Sequence, residues 1–425
     1  AVSYIFYAWL SPIYLIPLIY ATVVDYLVTG WMEKSHRREV WLAVSIINNL
    51  SILAFFKYAG FVAENVNALL SAIRVPYIVP SPGFLLPAGL SFYLLQSIGY
   101  VVDVYRGTAG RETSLIAHAA FVSFFPRLLA GPIERAGNLL PQLHGGPRPS
   151  LQDFTDGLSM FVVGYFKKVA LADYLAMYVV KVYGAPQEFH APALLLATFL
   201  FAWQIYFDFS GYTDMARGVA RMLGMRLMRN FNNPYLAVSI SDFWRRWHIS
   251  LSSWFRDYVY IPLGGNRRGT VATYRNVFVA LVLSGLWHGA AWTFVLWGIV
   301  HALGSFTTRE LERSDFYARK VPRIVKQLLV FAFVTFAWVF FRAESIGDAW
   351  TVVTRVFTTS WADPRCPLPA LALIAAVWGY QHAFESRLRW VLELRAVRVT
   401  LMILMLAYMI LTVRAEGRPF IYMQF

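Results

Sequence analysis

The feature that most constrains this chain is the recurrence of apolar stretches long enough to cross a bilayer. A hydrocarbon core of ~30 Å takes about 20 helical residues. Stretches of that kind are read over residues 12–28, 40–61, 83–104, 154–182, 191–209, 271–287, 292–306, 324–341, 368–384 and 397–413. Two shorter ones, 2–10 and 117–130, are too brief to span alone. Hydrophobic residues make up 58% of the chain and charged residues 15%, against about 45–50% and about 25% in soluble domains. Soluble globular, disordered, collagenous and repeat-solenoid classes are thereby set aside, and an all-α polytopic membrane protein is expected. A single cysteine, Cys366, allows neither an internal disulfide nor a thiolate metal site. No linker divides the chain, so residues 1–425 are read as one transmembrane domain. It opens at Ala1 already inside apolar sequence, which predicts further helices upstream.

The net charge of +14 sits between apolar stretches rather than on a nucleic-acid-binding signature, and no nucleic-acid partner is expected. Basic residues in short loops mark the cytoplasmic side. Lys34, Arg37 and Arg38, then Arg106 with Arg111, then the arginines between 217 and 275, and later clusters at 309–323 and 387–398 all fit one such face. Segments 65–82 and 344–367, poorer in basic residues, would face outward.

Residues 211–276 are too polar for a simple span yet crowded with aromatics and arginines. This pattern suits an interfacial or re-entrant segment, and non-spanning backbone at membrane depth requires a protein-lined or wet cavity. Within it, Phe243-Trp244-Arg245-Arg246-Trp247-His248-Ile249-Ser250-Leu251-Ser252 would, as one helix, align Trp244, His248 and Ser252 on a face beside Arg245. That is either a titratable ring among cations and aromatics or an interfacial anchor with an incidental histidine. Further on, Ser284-Gly285-Leu286-Trp287-His288-Gly289 lies in apolar sequence. Histidine there marks function by default, with helix packing through Gly285 and Gly289 as the alternative. Asp208 and Asp214 close an apolar stretch, where they would either orient a polar site or simply pair with Arg217. Arg127, in Phe125-Pro126-Arg127-Leu128 ahead of Gly131-Pro132, places a cation in an interrupted helix and is expected to face the interior. His301 is assigned packing and hydrogen bonding; His118, His144, His190 and His382 have loop-like or helix-end contexts. No zinc-protease, serine-hydrolase or P-loop motif is present.

Taken together, these motifs resemble the membrane-bound O-acyltransferase (MBOAT) family, in its bacterial alginate O-acetyltransferase-like branch. The resemblance rests on Asp242–Ser252 as quoted, on Trp254-Phe255-Arg256-Asp257-Tyr258-Val259-Tyr260-Ile261-Pro262-Leu263-Gly264-Gly265, on Leu286-Trp287-His288-Gly289, and on the closing Pro419-Phe420-Ile421-Tyr422-Met423-Gln424-Phe425. It implies tilted helices ringing a central funnel or tunnel. His288 matches the family's principal catalytic histidine and His248 the second, motif-bearing one. The segment holding Asp208 and Asp214 matches a central family segment, whereas related chains often carry an uncharged polar residue at Arg127. The teichoic-acid D-alanylation branch shares the histidine motifs with less similar surroundings.

The resemblance further implies transfer of an acyl group, acetyl foremost, from cytosolic acyl-CoA to a hydroxyl of an extracytoplasmic polysaccharide or cell-wall glycan, directly or through a relay partner. The location would be the bacterial inner membrane, with no bound cofactor or metal and with acetyl-CoA as co-substrate. His288 would act as general base. His248, tryptophan N–H groups or backbone amides would meet the oxyanion. Arg245 and Arg246 would hold donor phosphates, with Trp244, Ser284 and Trp287 as support. Competing readings are a transporter or flippase with a histidine-lined pathway, and a lipid- or protein-directed O-acyltransferase on the same fold.

Overall fold

The computed structural model describes residues 2–83, 85–361 and 367–412; Ala1, Cys366 and the closing motif at 419–425 lie outside them. Among the described residues every regular element is helical. Among the described residues five helices are long and apolar enough to cross a membrane: Pro12–Lys34, Arg38–Ala72, Ala191–Met222, Gly269–His288 and Arg323–Arg342. The chain is a multi-pass membrane protein.

Element bounds depart from expectation where a polar residue was read as a terminus. The second crossing runs 35 residues, from Arg38 to Ala72, through a π turn at Ala54–Tyr58. Part of the 65–82 segment, read as an outward loop, is therefore helix. The described residues from 85 are not helical until Leu90, where Pro87 denies a backbone donor that a helix needs. Gly89 starts that helix at φ 76°, where a Cβ would lie 2.1 Å from the Leu128 carbonyl oxygen. Ala191–Met222 continues well past Phe209, so Asp208 and Asp214 sit inside a helix instead of closing one.

Two compact units divide the chain, residues 1–157 with 219–228 and residues 158–218 with 229–425. In the first, Tyr93, Leu94, Tyr100, Val101, Phe121 and Leu128 lie in the buried apolar core. Beside them the fully buried Asp25 accepts hydrogen bonds from Ser45 Oγ at 2.6 Å and Asn49 Nδ2 at 3.0 Å. These bonds satisfy a carboxylate that would otherwise be costly at membrane depth. The same group links the Leu15–Lys34 and Arg38–Leu53 helices.

The second unit is built on a helical hairpin, Gly269–His288 against Trp292–Arg313. Its backbones meet closely at two glycines. A Cβ on Gly285 would lie 2.2 Å from the Phe294 carbonyl oxygen, and one on Gly298 would lie 2.6 Å from that of Leu281. Gly289 instead admits the Phe294 ring. Of the expected glycine pair, Gly285 thus lets the facing backbone come close, whereas Gly289 meets a side chain. Replacing Gly298 by Ala should lower stability by about 1–3 kcal/mol, since the obstructing atoms are backbone and cannot swing aside. Gly379→Ala, with nothing within 4 Å of the new Cβ, should leave it unchanged or gain about 0.5–1 kcal/mol in helix propensity. Thermal unfolding of the two variants in one detergent checks the contrast.

Candidate active site

The two motif histidines come together in the second unit. Helix Ile240–Arg246 is capped by Ser239, whose Oγ accepts from Asp242 N at 3.2 Å. It does not continue: Trp247 is extended (φ −103°, ψ 131°) and His248 takes the left-handed conformation (φ 41°, ψ 55°) before helix Ile249–Phe255 begins. A non-glycine residue there costs roughly 1–2 kcal/mol. The break is held by an upstream loop. Asn230 accepts from Ile249 N at 2.9 Å through its carbonyl and from Ser250 N at 3.2 Å through Oδ1, while Asn232 N donates to the Arg246 carbonyl at 2.9 Å. The expected common face of Trp244, His248 and Ser252 is therefore not formed. His248 turns instead onto Phe209 (4.6 Å between ring centroids, perpendicular), Trp287 (6.0 Å) and His288 (6.4 Å).

His288 is the last residue of its helix, where the chain turns extended at Gly289. Three rings stand steeply against it, Trp287 at 5.0 Å, Trp297 at 5.1 Å and Phe341 at 5.3 Å. Ser284 lies one turn earlier on the same helix and is buried too. Both imidazoles are nearly inaccessible, 0% for His248 and 2% for His288, so proton transfer between them and a bound group would be shielded from bulk water. Burial pushes the His248 pKa down to about 3, which keeps that ring neutral across the physiological range.

The other candidates divide. Trp244 packs edge-on against Trp297 (5.6 Å) and His301 (5.0 Å). Arg245 is exposed. Arg246 is held by Asp242 at 3.0 Å and Glu385 at 2.7 Å, so its charge is already met by two carboxylates. Asp208 and Asp214 face two lysines on a π turn, Lys167–Ala172. Lys168 reaches Asp208 at 2.7 Å and Asp173 at 2.8 Å, and Lys167 reaches Asp214 at 2.7 Å, which also takes Arg217 at 3.3 Å. Gly164 and Gly211 allow this, since a Cβ on either would strike the other's carbonyl oxygen at 2.5–2.6 Å. The lysines were not singled out from the sequence, though two cations in an apolar stretch are themselves a signal.

His301 is fully buried among Trp244, Trp297 and Phe243. Neither of its nitrogens finds a hydrogen-bond partner among the described residues, so the packing role holds and the bonding role does not. His118 is a buried helix-interior residue rather than a loop one. Arg127 belongs to the other unit, where it is fully buried and donates through Nη2 to the Val122 carbonyl. Among the described residues no group of three or more His, Cys, Asp or Glu side chains is arranged to hold a metal ion.

The sequence that builds this site is similar to that of known proteins. The family model described as MBOAT, membrane-bound O-acyltransferase family, matches residues 108–346. The chain belongs to that family. A protein named Probable alginate O-acetylase from Azotobacter vinelandii is 42% identical over 371 residues, covering 84% of this chain and 71% of the relative. The Peptidoglycan O-acetyltransferase of Helicobacter pylori is 34% identical over 385 residues, covering 83% and 71%. The Teichoic acid D-alanyltransferase of Bacillus subtilis is more distant, 26% over 274 residues, covering 60% and 68%. This MBOAT chain is accordingly a membrane O-acyltransferase.

Two stability predictions follow from the site's charges. Lys168→Met alone should cost about 3–5 kcal/mol by taking the shared cation from two carboxylates, and Asp208→Asn alone less, because Lys168 keeps Asp173 at 2.8 Å. The double variant should cost less than the sum, as thermal unfolding of all three would read out. For His248, the unfolded ring titrates near ~6.5 and the folded one near 3. Its contribution is thus present above ~6.5 and lost as pH falls towards 3. His248→Gln should flatten that part of the stability–pH curve.

Proposed function

We propose that this MBOAT enzyme transfers an acetyl group from cytosolic acetyl-CoA to a hydroxyl of an extracytoplasmic polysaccharide or cell-wall glycan, with alginate-type exopolysaccharide as the leading acceptor. The observation that carries the reading is the convergence of His248 and His288, forty positions apart in sequence, to 6.4 Å in a buried aromatic setting. The relatives named for alginate and peptidoglycan O-acetylation supply the substrate class.

In this reading His288 is the general base. The acceptor hydroxyl oxygen attacks the thioester carbonyl carbon as His288 takes its proton. The tetrahedral oxyanion then collapses, the C–S bond breaks, and the CoA thiolate recovers the proton from His288. General-base assistance contributes about 10²–10⁴-fold. His248, kept neutral, orients the reacting groups, with Trp287 and Ser284 supporting His288. Arg245, exposed, meets the donor's phosphates at the cytoplasmic mouth. Asp208 and Asp214 act through their lysines as scaffold. Residues 211–276 form the interfacial and re-entrant segment, and the enzyme sits in the bacterial inner membrane. A partner on the far side relays the acetyl group where the acceptor does not reach the site itself.

The test is O-acetyl ester content of exopolysaccharide and wall glycan in cells carrying wild-type protein or His288→Ala at equal membrane levels. Loss of at least tenfold in the variant is expected. Equal ester content in both strains would overturn the assignment and move attention to lipid or protein acceptors, or to transport.

A further inference from the structure

Around Trp297, next to His288, lies a group of side chains whose buried nitrogens the packing does not account for. Trp297 touches His288 at 5.1 Å, Trp244 at 5.6 Å, His301 at 4.7 Å and Trp338 at 5.9 Å. Trp244 and His301 also meet directly, at 5.0 Å. Trp297, Trp338 and His301 are each 0% exposed. The indole nitrogens of Trp244, Trp297 and Trp338 and both nitrogens of His301 are buried without a hydrogen-bond partner among the described residues.

Such a concentration is unusual. A buried polar group left unsatisfied costs roughly 1–3 kcal/mol, and a native protein carries few of them. The inventory is also one-sided. An indole offers a donor and no acceptor, and a neutral imidazole offers one of each, so the cluster presents four donors against one acceptor. What it lacks is an acceptor oxygen. The surrounding rings, Phe243, Trp247, Phe333 and Phe341, carry no charge, which argues against a phosphate or carboxylate and for a neutral carbonyl.

We propose that this cluster is the acyl-carbonyl pocket of the enzyme. The indole N–H of Trp297, the member in contact with His288, donates to the thioester carbonyl oxygen and to the oxyanion formed from it. Trp244 and Trp338 complete the donor set. His301 is a positioning residue that fixes the Trp297 ring from the opposite side. This inference rests on the acetyl-transfer reading above and extends it, since it names the groups that meet the developing charge. Preorganised donors in a water-poor site are worth far more than the same donors in water, and removing one typically costs about 10²–10³-fold in kcat.

The experiment uses the full chain in lipid nanodiscs with acetyl-CoA as probe and an alginate oligosaccharide as acceptor, following CoA release. Trp297 is replaced by 3-benzothienylalanine, which keeps the ring shape and exchanges N–H for sulfur. The expected result is a fall in kcat of about 10²–10³-fold with KM for acetyl-CoA and thermal unfolding unchanged. Isotope-edited infrared spectra of carbonyl-¹³C acetyl-CoA give a readout independent of turnover: the carbonyl band moves to lower wavenumber on binding wild type, and the analogue abolishes that shift. His301→Ala should lower kcat, and His301→Phe, which keeps a flat ring against Trp297, should recover much of it. An analogue with wild-type kcat and wild-type carbonyl shift overturns the proposal and leaves water as the indole's partner. If wild type and His288→Ala release CoA equally while the carbonyl shift is present, the acetyl-transfer reading fails and the pocket stands. Absence of both CoA release and carbonyl shift in wild type overturns both.

Discussion

The arrangement of the site depends on one interruption of regular structure, the left-handed turn at His248. Backbone donors and acceptors that leave a helix in a water-poor setting must find partners or the break is prohibitively costly. Asn230 meets that requirement with two acceptors, its carbonyl for Ile249 N and its side chain for Ser250 N. With the break stabilised, residues one helical turn apart in sequence point to different neighbours. Trp244 packs against Trp297 and His301, whereas His248 meets Phe209 and His288. A continuous helix would have kept Trp244 and His248 on one face.

A second constraint acts on His288. Its ring lies 5.1 Å from Trp297 because the hairpin that carries both is drawn together at Gly285 and Gly298. Backbone-to-backbone contact is stiffer than contact through side chains, since it has no rotamers to exchange. The position of the imidazole is therefore inherited from the hairpin more than from its own torsions. Trp247, nearly inaccessible and packed against Phe231, Phe243 and Trp338, anchors the other side of the site in the same aromatic mass.

Much of this was legible from residue order. Apolar length identified the membrane class, and the Trp-His motifs located both histidines. What was not legible has a physical reason in each case. The Phe243–Ser252 run has a helical period, and nothing within it reveals that Asn230, some twenty positions earlier, supplies the acceptors that make a break affordable. Asp208 and Asp214 read as the end of a crossing because isolated carboxylates terminate apolar helices. Their partners, Lys167 and Lys168, were hidden inside another apolar stretch. His301 is expected to hydrogen-bond on the general rule that buried imidazoles do, and among the described residues neither of its nitrogens has a partner. The tryptophans at 297 and 338 are ordinary core residues in sequence; only their shared lack of acceptors marks them.

The lysine–aspartate lattice has an electrical consequence. Lys167 and Arg217 stand against Asp214, and Lys168 against Asp173 and Asp208, in all three positive charges against three negative. A transmembrane voltage acts on net charge, at about 2.3 kcal/mol per elementary charge moved across 100 mV. Formally neutral and tied across two helical segments, this lattice presents the field with opposing pulls that cancel when the helices shift as a body. The lattice can thus brace the interior with six ionised groups without making it a voltage sensor.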